Sequence, residues 1–166
     1  NTKRIEAKED DIVAAFEGFE VGRVALMSDE WFDALLQDKR IIRNAPKLRA
    51  IQENAVFIQE VSAEAGGFGR KIADWPDDRF GELLLWLKSE GSRLGGTTGG
   101  YVLRQMGRDG YVFTKGVVAR LVAEGVISGP PGSRKAMLAA QEAFNTWQAQ
   151  SGRPLAEISR ILALSI

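Results

Sequence analysis

Carboxylates, lysines, tyrosines, hydroxyls and backbone amides are the groups through which this sequence can do chemistry, because its 166 residues include no cysteine and no histidine. That composition excludes disulfides, thiolate and imidazole metal sites, Cys and His nucleophiles, and a Ser-His-Asp triad. Neither a metal ion nor a cofactor is expected. Two carboxylate pairs stand out, Asp10 with Asp11 and Asp77 with Asp78. Sequence neighbours point apart on a helix, so both pairs read as helix-start charges rather than as an acid–base couple. Ser159-Arg160 has no base partner nearby in sequence and receives no catalytic role. Trp31, Trp75, Trp86 and Trp147 offer ring faces for stacking, but each sits among apolar residues and reads as core. Tyr101 is the exception, because it follows a glycine-rich turn.

That turn, Arg93-Leu94-Gly95-Gly96-Thr97-Thr98-Gly99, is the segment best suited to an anion. Glycines let a backbone approach a phosphate closely and adopt positive φ. Thr97 or Thr98 is placed to cap the helix that follows, whose free N–H groups favour negative charge. Arg93 adds a full positive charge. A second reading fits the same residues: a plain helical hairpin whose glycines serve tight packing. Arg43, Asn44 and Lys47 also carry two readings, a second phosphate contact at a helix start, or an N-cap with solvated neighbours.

The elements that position these groups read as helices almost throughout. Ile5, Ile12, Val13 and Phe16 recur near helical spacing before Gly18. Ser28 opens a helix with Trp31, Phe32, Leu35 and Leu36 inward, and Asn44 opens a longer one, with Pro46 in its first turn, that stops at Gly66-Gly67. Residues 83–107 form a helix, a turn and a second helix. Thr114 and Ser133 cap two further helices ended by Gly125 and Gly152, and Pro154 starts a last one. Tyr111-Val112-Phe113 is the single candidate for a short strand. The expected fold is all-α, one domain over residues 1–166.

The overall charge of zero conceals a gradient: residues 1–86 hold 12 basic and 17 acidic groups, and residues 87–166 hold 10 basic and 5 acidic. A polyanion would be drawn to the second half. No apolar run approaches the roughly 20 residues of a membrane span, and no export signal opens the chain, so a soluble cytoplasmic protein is expected. The chain starts at Asn1, within helical sequence, and an N-terminal segment is expected to be missing.

The turn resembles that of the helix-hairpin-helix DNA glycosylase superfamily, whose apolar-x-Gly pattern is matched by Leu94-Gly95-Gly96. The 3-methyladenine glycosylase I branch has a similar Gly-x-Thr turn followed by Tyr, as in Gly96-Thr97-Thr98 and Tyr101. Ile41-Ile42-Arg43-Asn44-Ala45-Pro46-Lys47 resembles that branch's IIRN-x-x-K segment. Ala143-Phe144-Asn145-Thr146-Trp147 and Gly152-Arg153-Pro154-Leu155 are similar to a subgroup of glycosylase I-like proteins. The resemblance implies a helix-hairpin-helix glycosylase fold, duplex DNA with damaged bases as partner, and hydrolysis of the N-glycosidic bond of an alkylated purine, chiefly 3-methyladenine. DNA contacts are expected at Arg93, Gly95, Gly96, Thr97, Thr98, Gly99 and Tyr101, with Lys115, Arg43, Asn44 and Lys47 behind them.

The resemblance leaves the chemistry unassigned. Many members of the superfamily carry an Asp shortly after the hairpin, and members of the subgroup carry one where Gly116 stands, but Phe113 to Val118 contains no acid. The family's pocket residues lie in an N-terminal segment ending in a motif like Gly-Phe-Asn-Trp, of which this chain matches the Asn at most, with Thr2 where an aromatic is expected. Its Cys- and His-bound structural zinc cannot form. The chain as it stands is therefore expected to release little base. The alternatives are a non-catalytic DNA-binding module of the same fold and a helical protein-interaction domain.

Overall fold

Helix starts are set by short polar side chains that accept a hydrogen bond from the first free N–H groups of the turn that follows. In a computed structural model, which describes Lys3 and residues 6–166, Ser28 Oγ accepts from Trp31 N–H at 3.1 Å, Asn44 Oδ1 from Lys47 N–H at 3.1 Å, Thr114 Oγ1 from Val117 N–H at 3.3 Å and Ser133 Oγ from Ala136 N–H at 3.2 Å. These are the caps expected from sequence. Gly66 and Gly152 close their helices at φ 70° and 66°, the left-handed conformation in which glycine carries no Cβ penalty.

The described residues form the α-helices α1 (Glu9–Ala15), α2 (Val21–Ala25), α3 (Asp29–Gln37), α4 (Ala45–Ala65), α5 (Phe68–Asp74), α6 (Phe80–Glu90), α7 (Thr97–Gln105), α8 (Lys115–Ala123), α9 (Arg134–Ser151) and α10 (Leu155–Leu164). The fold is all-α. No strand occurs among the described residues, which corrects the expectation for Tyr111-Val112-Phe113. That segment is extended, but its neighbours are helices: Val112 N–H donates to Ser159 Oγ at 3.2 Å, and Thr114 N–H turns back to Val112 C=O at 2.8 Å. All three side chains are buried, and a side chain takes the place of a partner strand.

Two compact units divide the chain, Asn1–Phe68 with Gly91–Arg93, and Gly69–Glu90 with Leu94–Ile166. In the first, α2 and α3 pack along α4, and Phe16, Val24, Met27, Leu35 and Leu48 fill the core. Ile5 lies outside the described residues, and Val13 is 39% exposed, so only part of the apolar series expected in the first segment faces inward. Glu20 caps α2, its two carboxylate oxygens accepting from Gly22 and Arg23 N–H.

In the second unit α9 packs on α6 and α10, and α8 on α10. Tyr111 is fully buried, stacked on Phe144 with centroids 4.0 Å apart and edge-on to Phe80. Burial pushes its phenol far above the ordinary tyrosine range, so the hydroxyl stays protonated and donates to Gln141 Oε1 at 2.7 Å. The same oxygen accepts from Gly81 N–H at 2.5 Å, while Gln141 Nε2 donates to Asp77 C=O at 3.3 Å.

The four tryptophans are half-buried at the edges of the packing, Trp31 against the core of the first unit and Trp147 edge-on to Phe144. Trp31 and Trp75 use their indole N–H on the carbonyls of Ala15 and Arg79, which holds the ring edge where a polar atom has a partner. Asp77 and Asp78 open a short 3-10 turn, as expected of helix-start charges, and Asp77 also pairs with Arg108 at 2.6 Å.

Candidate nucleic-acid interface

Between α6 and α7, Gly95, Gly96, Thr97 and Thr98 make a tight turn closed by Thr98 N–H on Gly95 C=O at 3.2 Å. Gly96 has φ 59° and ψ −134°, the backbone of the first central residue of a type II′ turn, which calls for glycine. A Cβ on Gly96 would meet no atom within 4 Å. The constraint there is therefore conformational, and the space in front of the backbone is open.

Neither threonine caps α7, contrary to the sequence expectation. The helix begins at Thr97, its N-cap is Gly96, and no side chain accepts a hydrogen bond at that end. The physical reason is register: a capping side chain belongs to a residue with extended backbone just outside the helix, and here that residue has no side chain. The α7 start thus has no side-chain oxygen over its N–H groups, and those groups with the helix dipole favour an approaching anion. Thr97 and Thr98 are exposed.

The remaining glycines divide by role. A Cβ on Gly99 would lie 2.6 Å from the Leu94 carbonyl oxygen, and one on Gly100 would lie 3.2 Å from Tyr111 O. Both are buried. Gly99 therefore serves the close packing of the turn on its own helix, which is the packing reading of that position. Gly95 rests on the Lys88 stem, where a Cβ would come 3.2 Å from Cγ. The opposite face of α7 carries Tyr101, 46% exposed, with the Arg104 guanidinium 6.0 Å from its ring centre. Lys115 is exposed at the first position of α8.

In the other unit, Arg93 is exposed and has φ 58°, a left-handed conformation uncommon outside glycine. Its neighbour Ser92 is clamped by the Asn54 carboxamide of α4, which accepts from Ser92 N–H at 2.7 Å and donates to Ser92 C=O at 2.9 Å. Sequence reasoning missed Asn54. The available signal was a polar side chain next to the apolar stripe Ile51, Ala55, Ile58. Asn54→Ala should lower stability by about 1–2 kcal/mol through two lost hydrogen bonds, measured by denaturant unfolding; an unchanged midpoint would show that the clamp adds nothing. Asn44 spends its side-chain acceptor on the α4 cap, beside exposed Arg43 and Lys47.

Carboxylates near these elements are engaged elsewhere. Asp109 caps α10, accepting from Leu155 and Ala156 N–H at 2.9 and 2.8 Å. A cavity of about 320 Å³ beside the turn, walled by Leu84, Phe113, Pro131 and Met137 next to Gly96 and Thr97, has no acid in its lining. At Gly116 a Cβ would lie 2.7 Å from the Ala163 carbonyl oxygen and 3.1 Å from its Cα. Glycine at that position is thus required by the α8–α10 approach. Among the described residues no group of three or more acids could hold a metal ion, and no helix is long and apolar enough to cross a membrane.

Residues 2–80 match the model of the methyladenine glycosylase family. Arg43, Asn44 and Lys47 fall inside the matched stretch; the α6–α7 turn, Tyr101 and Lys115 fall beyond it. Neither the curated proteins nor the solved structures yield a match.

Proposed function

With a methyladenine glycosylase family sequence over residues 2–80 as premise, we propose that this protein is a cytoplasmic DNA-repair glycosylase of helix-hairpin-helix type that grips duplex DNA by its phosphates and hydrolyses the N-glycosidic bond of alkylated purines. The observation that supports the grip is the start of α7, which has no side-chain cap and follows a glycine whose backbone faces open space. Helix N-termini with close backbone approach suit phosphate oxygens, and such contacts position a duplex without reading its sequence. Excision requires the damaged nucleotide to leave the stack and be held by a pocket; no residue is assigned to the bond-breaking step.

A second reading, a non-catalytic DNA-binding module, is favoured by a separate observation. The position after the hairpin that an acid would occupy is packed against Ala163 backbone, and Asp109 is committed to the α10 cap.

Fluorescence anisotropy of a labelled duplex across a salt series tests the grip. The parent should bind with little sequence preference, and Arg93→Ala should flatten the slope of log affinity against log salt by about 0.9. Gly96→Val should weaken binding about fivefold or more with helical content retained, because its backbone conformation costs a non-glycine residue about 1–3 kcal/mol. Parent-like binding by both variants would remove the turn from the interface. Release of 3-methyladenine from alkylated DNA then separates the two readings: release supports the glycosylase, and tight binding without release supports the module.

A further inference from the structure

On the exposed face of α7, Thr97, Tyr101 and Arg104 follow one another at i, i+4 and i+7, a spacing that keeps side chains on one stripe. Seven residues of helix advance about 10 Å, close to three phosphate-to-phosphate steps along one DNA strand at about 3.4 Å each. The stripe ends at a cavity of about 450 Å³ bordered by α7, α8 and α10, into whose lining Arg104, Thr114, Ser159, Arg160 and Glu157 contribute.

The charge in this cavity is unbalanced. Neither Arg104 nor Arg160 has a carboxylate within ion-pair distance among the described residues, whereas the Glu157 carboxylate is taken by Arg153. Lys115, adjacent to Thr114, adds a further exposed cation. Both hydroxyls accept a backbone N–H, Thr114 from Val117 and Ser159 from Val112. Each keeps its O–H to give, and Ser159 is almost wholly buried. Two guanidinium groups and two hydroxyl donors around one concavity match the oxygens of a phosphodiester.

We propose that this cavity is a second phosphate subsite, in which Arg104 and Arg160 hold a backbone phosphate of the same DNA strand that meets the α7 start. It rests on the reading of α7 as a DNA-facing helix. It also assigns a role to the stretch after the hairpin, where the sequence has Lys115 and Gly116 in place of an acid: that stretch binds an anion.

The test is the salt dependence of duplex binding by the full chain. Arg104→Ala and Arg160→Ala should each flatten the slope by part of the roughly 0.9 that one phosphate contact contributes, and the double variant should lose about 0.9, which at 0.1 M monovalent salt corresponds to about eightfold weaker binding. Arg104→Lys and Arg160→Lys should restore the parent slope, because a lysine keeps the point charge. Arg70→Ala, an exposed cation on α5 whose only ion-pair partner among the described residues is Asp74, should bind as the parent does. Parent slopes in both alanine variants, with Arg93→Ala still reduced, would overturn the subsite and leave the DNA reading standing. A parent chain that binds no duplex at any salt would overturn the DNA reading and the subsite with it.

Discussion

Arg108→Met is expected to destabilise the protein by about 3 kcal/mol, because it removes the charged donor shared by three part-buried carbonyls and the half-exposed Asp77. The Arg108 side chain is 9% exposed. Its Nε donates to Ile72 C=O at 3.2 Å, Nη1 to Asp77 Oδ1 at 2.6 Å and to Asp109 C=O at 3.2 Å, and Nη2 to Trp75 C=O at 2.7 Å. One guanidinium thus satisfies carbonyls at the end of α5 and at the approach to the extended segment, while its face lies 5.9 Å from the Phe80 ring centre. Methionine preserves much of the stem and removes every donor. Hydrogen bonds to a charged group contribute about 1.5–3 kcal/mol each, but their sum overstates the loss, because the charge also had to leave water. For a chain of this size the expected loss lowers Tm by roughly 6–12 °C at about 2–4 °C per kcal/mol. Denaturant unfolding with an unchanged m-value measures it; a loss below 1 kcal/mol would mean that water replaces the arginine without penalty. Arg108→Lys should recover only part, since an ammonium cannot reproduce the planar fork.

Gly116→Asp, which would install the acid that the glycosylase resemblance leads one to look for, should instead loosen the α8–α10 packing at a cost of about 1–2 kcal/mol. Backbone atoms of Ala163 stand where the new Cβ would go, and overpacking against atoms that cannot rotate away costs about 1–3 kcal/mol. The carboxylate then faces a carbonyl oxygen rather than a donor. A negative charge in the first helical turn returns only about 0.3–1 kcal/mol, so the contact wins. Gly116→Ala should lose less, because alanine regains up to about 1 kcal/mol of helix propensity. Thermal unfolding of the three proteins gives the order, and equal midpoints for Gly116 and Asp would show that α10 yields freely. Base release should not rise in the Asp variant.

What the sequence made legible follows the range of the interactions. Helix starts were readable because a cap and its N–H lie three residues apart, as at Ser28, Asn44, Thr114 and Ser133. The short α2 escaped notice because it spans five residues and is capped by Glu20, outside the usual capping residues. Asn54, Arg108 and Gln141 were not legible, since their main partners lie 30 to 64 positions away. The turn was found by its glycines, yet those glycines do different work: Gly96 meets a backbone requirement at the surface, and Gly99 and Gly100 permit close packing. Local pattern cannot distinguish these, because both leave the same letter. Gly116 illustrates the same ambiguity, read as a missing acid where the neighbouring helix demands the absence of a side chain.

Apolar helix faces slide over one another at little cost, so a bundle of leucines and phenylalanines has many nearly equal ways to dock. Gln141 removes that degeneracy from the second unit. Its carboxamide takes the Gly81 amide and the Tyr111 hydroxyl on one atom and reaches Asp77 C=O and Asn145 Oδ1 with the other. Were α9 to slip by one turn, about 5.4 Å, the Gly81 amide, the Tyr111 hydroxyl and the Asp77 carbonyl would lose their partner, each at a penalty of about 1–3 kcal/mol. The apolar contacts decide that α9 binds α6; this single amide decides in which of the available positions it stops.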